Sequence, residues 1–88
     1  MDKKEMTLKG VENMAENQQK VFADHGVYFV SYGTIIAFKP WDGSPVLDAG
    51  KWNYSKTTSK WRNAFMGETT KETESKIKSG AYLLADLN

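Results

Sequence analysis

The first stretch of the chain carries its larger side chains at helical intervals. Leu8, Val11, Ala15, Gln18 and Phe22 follow one another at spacings of three and four, with Met14 and Val21 beside them, while Lys, Glu and Gln fill the remaining positions. That period predicts an amphipathic helix over 5–24. Gly10 near its start costs about 1 kcal/mol relative to Ala. His25-Gly26 is the expected stop, because glycine takes the left-handed conformation that closes a helix.

The pattern then changes from a helical period to alternation. Val27-Tyr28-Phe29-Val30-Ser31-Tyr32 is rich in β-branched and aromatic residues, as is Thr34-Ile35-Ile36-Ala37-Phe38-Lys39. Gly33 between them predicts a tight turn joining two antiparallel strands, or a bulge in one bent strand. Val27, Phe29 and Ser31 fall on one face; Tyr28, Val30 and Tyr32 fall on the other. Pro40-Trp41-Asp42-Gly43-Ser44-Pro45 is turn chemistry, Val46-Leu47-Asp48 starts a return strand, and Trp52-Asn53-Tyr54 reads as a further short strand after the Ala49-Gly50 break.

Helical spacing returns over 57–66, where Thr58, Trp61 and Phe65 share a stripe and Ser55 or Thr57 supplies the cap. Trp61 and Phe65 are expected to pack on the sheet face carrying Val30, Ile36 or Phe38. Gly67 ends that helix. Thr69-x-x-Glu72 has the form of a capping box and predicts a third helix over 70–79, closed by Gly80. The apolar run Ala81-Tyr82-Leu83-Leu84-Ala85-Asp86-Leu87 finishes the chain as an added edge strand or an extended cover. The expectation is one α+β domain over 1–88. It comprises an N-terminal helix (1–25), then a three-stranded antiparallel meander, one or two C-terminal helices and a short extended segment (26–88).

Composition fits a globular chain of 88 residues, with 40% hydrophobic and 26% charged residues. No apolar run is long enough for a membrane helix, and the N-terminus lacks the apolar core of a signal peptide, so a cytoplasmic setting is the default. Without cysteine there is no disulfide scaffold, thiol nucleophile or thiolate-held metal. The net charge of +1 hides a gradient: Lys39, Lys51, Lys56, Lys60 and Arg62 face only Asp42 and Asp48 in the middle of the chain, which also holds every tryptophan. That balance is too weak for a DNA-packaging protein and has the wrong sign for a DNA mimic.

The stretch Trp52-Asn53-Tyr54-Ser55-Lys56-Thr57-Thr58, continued by Trp61, Phe65, Met66 and Gly67, resembles the signature of a family of small phage-encoded proteins of unknown function. Ser31-Tyr32-Gly33-Thr34-Ile35-Ile36-Ala37 is similar to its other block, and Gly80, Tyr82, Leu83 and Leu87 fit its ending. Trp61 departs from the pattern, which has His or Tyr there. The resemblance covers 27–88 and leaves the N-terminal segment outside. It implies a protein working in the cytoplasm of an infected bacterial host, on host machinery or on nucleic acid.

Catalytic chemistry finds few candidates. His25 is the only histidine, so no His-His metal pair or His-containing dyad can form. Thr57 and Lys60 stand at Ser-x-x-Lys spacing, but helix capping explains that threonine. No phosphate-cradling glycine motif is present. No catalytic residue, cofactor or metal is therefore expected. The candidate contact residues are Lys51, Trp52, Lys56, Lys60, Arg62 and Trp41: the cations, read as exposed, for phosphates, and Trp41 and Trp52 for stacking on bases. The leading expectation is a non-enzymatic inhibitor of a host protein or ribonucleoprotein, anti-CRISPR action being the example. The alternative is a small DNA- or RNA-binding module, and the third a virion accessory protein.

Overall fold

A computed structural model describes residues 8–88. One sheet of six strands forms the body: β1 (Leu8–Ala15), β2 (Gln18–Ala23), β3 (Gly26–Ser31), β4 (Thr34–Pro40), β5 (Val46–Asp48) and β6 (Leu83–Ala85). Spatial order follows chain order. The first five strands are antiparallel neighbours, and β6 returns parallel to β5. Parallel neighbours need a crossover, and α1 (Lys56–Met66) and α2 (Thr70–Ser79) supply it. Among the described residues no helix is long and apolar enough to cross a membrane.

The expected N-terminal helix is absent over its described part: residues 8–23 form the β1–β2 hairpin, and positions 5–7 of that expectation lie outside the described residues. Alternation is masked here because both faces of β2 carry apolar side chains. Val21 faces away from the helices, whereas Phe22 packs against the core. Spacings of three and four then arise from residues on opposite faces. The hairpin turns at Glu16-Asn17, where Asn17 has φ of 65°, a conformation asparagine tolerates better than most. Gly26 does not stop a helix. It starts β3, where a Cβ would lie 2.2 Å from the carbonyl oxygen of Lys39, so only glycine lets β4 approach.

The three-stranded meander is likewise replaced by six strands, of which the 27–39 hairpin is the centre. Tyr32 and Gly33 both have positive φ, the geometry of a two-residue turn matched to strand twist. Trp52-Asn53-Tyr54 is no strand; Trp52 N–H donates to the Asp48 carbonyl at 3.0 Å and winds this segment into a turn leading to α1.

The core lies between the sheet and the helices. Val27, Phe29, Ile36, Ala37, Leu47 and Phe65 form its buried centre, with Met14, Phe22, Trp52, Trp61 and Met66 packed around it. Phe65 stacks on Phe29 at 5.6 Å between centroids. The helices therefore cover the Val27–Phe29 face, not the face of Val30 and Phe38. Ile36 joins the core because a bulge in the β3–β4 register lets Ile36 and its neighbour Ala37 both be buried.

The opposite face is built of registered rows. Val11, Val21, Tyr28, Phe38, Val46 and Leu83 are successive partners across all six strands. Asn13, Gln19, Val30 and Ile35 form a second row. The strand charges Glu12 and Lys20 register with Phe29, and Lys39 with Val27, which puts all of them on the helix side.

Candidate functional site

The α1 helix begins at Lys56 because Ser55 precedes it in an extended conformation, its Oγ accepting from Thr58 N–H at 3.1 Å. Thr57 lies within the helix and takes no part in the cap. Gly67, at φ 74°, ends the helix and returns its N–H to the Asn63 carbonyl. This short helix presents one face to the sheet through Thr58, Arg62 and Phe65, all buried. On its other side it borders an open cleft of about 560 Å³ lined by Asn53, Tyr54, Ser55, Lys56, Ser59, Lys60, Asn63 and Thr70.

Arg62 organises that cleft from beneath. It is fully buried, contrary to the expectation that it is a surface cation. Its Nη1 donates to the Trp52 carbonyl and, at 3.3 Å, to both Asn53 Oδ1 and Ser59 Oγ. Its Nη2 donates to Asn63 Oδ1 at 2.8 Å and Thr70 Oγ1 at 2.7 Å. The guanidinium also lies 5.0 Å from the Trp52 ring, a stacking geometry that Arg favours. Every acceptor it reaches among the described residues is neutral. Burial pushes its pKa below the ordinary value, and the Glu68 carboxylate partly opposes that shift.

The expected contact residues thus separate. Lys56 and Lys60 line the cleft and are exposed; Lys60 lies 5.1 Å from the Trp61 ring. Lys51, also exposed, sits 5.1 Å from the ring of Tyr54 at the cleft's edge. Trp52 is half-buried against the core and serves Arg62, so it is not free to stack on a base. Trp41 is 62% exposed but lines a different hollow, with Gly10, Val11, Phe22, Ala23 and Asp24. Sequence reasoning missed Asn53, Ser59, Asn63 and Thr70, the polar lining itself. Their signal was available: Asn53 to Ser59 to Asn63 brings amide and hydroxyl groups to one side of α1, interleaved with Lys56 and Lys60.

The α1–α2 connection holds a second polar cluster, around Glu68. Glu68 accepts from the Thr73 hydroxyl, from Lys76 Nζ at 2.7 Å and from the Tyr82 hydroxyl at 2.8 Å. Burial alone would raise this carboxyl, but the three hydrogen bonds hold it below its usual range. Tyr82 is raised by burial and by its bond to Glu68. Thr73, Lys76 and Tyr82 all point at the one Glu68 carboxylate, which makes this a cross-link between the α1–α2 turn, α2 and Tyr82. Among the described residues no group of three or more His, Asp or Glu side chains could hold a metal ion.

The chain belongs to DUF8033, a family of unknown function whose model matches residues 1–80. The match starts at residue 1, so the N-terminal hairpin lies within the family region and not outside it. No curated protein and no solved structure matches the chain.

Proposed function

We propose that this protein is a non-enzymatic binding module whose cleft beside α1 receives the phosphate backbone of a nucleic acid. The observation that carries the reading is the chemistry of the lining. Lys56 and Lys60 bring exposed positive charge, and Ser55, Ser59, Asn53 and Asn63 bring hydroxyls and amides, with no carboxylate among the lining residues. Arg62 adds a charge below that its neutral partners do not cancel and that Glu68 offsets only in part. Phosphate oxygens seek this combination of cations and neutral donors. Tyr54, 46% exposed at the cleft, offers a ring on which a base can stack.

A phage-encoded protein in the cytoplasm of an infected bacterial host meets such backbones free and in ribonucleoproteins. Inhibition of a ribonucleoprotein is the form of the inhibitor reading that this lining supports; a target consisting of protein alone does not call for it. Fluorescence anisotropy with single- and double-stranded oligonucleotides tests the proposal. Affinity should fall steeply with salt. Lys56→Glu and Lys60→Glu should each weaken binding and reduce the salt slope by about one, while stability stays within about 0.5 kcal/mol. Absence of binding to either form at low salt, or unchanged affinity in the double variant, overturns it.

A further inference from the structure

We propose that the sheet face away from the helices is the interface of a homodimer, in which a second copy of this chain packs sheet against sheet. The row Val11–Val21–Tyr28–Phe38–Val46–Leu83 crosses every strand, and Tyr28 and Phe38 at its centre are in ring contact at 4.4 Å. Val11 and Leu83 at its two ends are 58% and 51% exposed. Val30 and Ile35 widen it on one side, and Ala23 and Pro40 on the other. A sheet of which one face is covered normally alternates to polar residues on the face left to water. Here Glu12, Lys20 and Lys39 go to the covered side, and the two rows carry no charge, only the amides of Asn13 and Gln19 at one corner. Asp48, which shares Val46's face, is 3% exposed, its carboxylate taken up by Gly50, Leu87 and Asn88.

Three observations select a second copy as the occupant. A face whose one described strand carboxylate, Asp48, is buried meets its own image without exposed like charges, whereas a nucleic acid or a strongly charged protein gains nothing from it. The net charge of +1 leaves two copies little mutual repulsion. The size is also sufficient. Five inter-strand spacings of about 4.8 Å give a length of ~24 Å, and the rows span about 14 Å along the strands. With side-chain relief, two such faces bury on the order of 1,000 Å², the lower bound for a specific interface. Aligned sheets pack in this way about 10 Å apart, by interdigitating their facing side chains. The cleft beside α1 lies on the other side of the sheet, so the dimer leaves both copies of it open.

Sedimentation velocity of the full chain over a wide concentration range is the test, without nucleic acid. The wild type should convert from monomer to dimer, with an affinity insensitive to salt. The double variant V11K/L83K changes only residues already more than half exposed and should fold normally, checked by circular dichroism and melting. Its self-association should be at least tenfold weaker. Val21→Lys, on an inner strand, should weaken it too, which separates face packing from pairing through the edge strands β1 or β6. A wild type that stays monomeric at every concentration overturns the proposal, as does a folded V11K/L83K or V21K protein that dimerises with unchanged affinity. The oligonucleotide measurements stand or fall separately, because Lys56 and Lys60 play no part here.

Discussion

Arg62 and Glu68 are both withdrawn from water, on either side of the α1–α2 connection, but in different company. The Arg62 guanidinium has no exposed surface, and all the acceptors it reaches are neutral. The Glu68 side chain is 5% exposed and has a countercharge, Lys76, at 2.7 Å. Burying a charge is costly unless it is paired and hydrogen-bonded. Glu68 meets both conditions, so its cluster is closed: it ties the α1–α2 turn to α2 and to Tyr82, ahead of β6. Arg62 meets the second through Nη1 and Nη2 alone, its Nε being buried without a partner, and Glu68 offsets its charge without bonding it, so part of its positive field remains beside the cleft its partners line. The difference separates a structural cluster from one able to attract a ligand.

Removing Arg62 should have the largest effect on that contrast. Arg62→Met leaves the Trp52 carbonyl without this donor and strips the Asn63 and Thr70 oxygens of their bonds to the guanidinium, leaving them only each other, and should cost about 3 kcal/mol, the upper end for hydrogen bonds to a charged group. Urea unfolding measures it. A melting temperature near wild type would show that the acceptors do not depend on the guanidinium. Arg62→Glu does not test binding alone, because it places a buried acid among these acceptors and unfolds the domain.

Glu68→Gln should act more mildly. It keeps an acceptor for Lys76 and Tyr82 but loses the charge, and hydrogen bonds to charged groups are worth about 1.5–3 kcal/mol, so a loss near the lower figure is expected. The pH dependence sharpens the contrast. Because the folded carboxyl is held below its usual range, its contribution is fully present above the unfolded pKa of about 4.3 and is lost as pH falls through the lower folded value. Urea midpoints followed into acid should therefore decline in the wild type and flatten in Glu68→Gln. Arg62 stays charged throughout that window and adds no slope of its own.

The smallest effect separates two neighbouring hydroxyls. Ser55→Ala should cost about 1 kcal/mol by removing the α1 cap, whereas Thr57→Ala should leave stability within about 0.5 kcal/mol. Thermal melts of the two variants check this. Equal losses would move the cap to Thr57, contrary to the bond from Thr58 N–H to Ser55.

Much of this architecture follows from local chemistry. The Tyr32-Gly33 turn, the Thr69–Glu72 capping box with both of its hydrogen bonds, and the helix ends at Gly67 and Gly80 are set by residues within a few positions of one another. Such features are legible in the sequence because φ preference and capping are local. The same holds for α1 and α2 and for the strands around Gly33. What the chain decides only in three dimensions is the N-terminal hairpin and the site. Residues 8–23 have a helical spacing that becomes strand because β3 offers backbone hydrogen bonds to β2, and because both faces of that strand find apolar neighbours. Lys56, Lys60 and Arg62 look alike as a run of cations, yet packing on the sheet buries only the last. Which side of α1 meets the core is fixed by Phe65 stacking on Phe29, a contact between residues distant in sequence. Local propensity chooses elements; burial, which depends on partners brought from elsewhere in the chain, chooses which charge becomes a foundation and which remain on the surface.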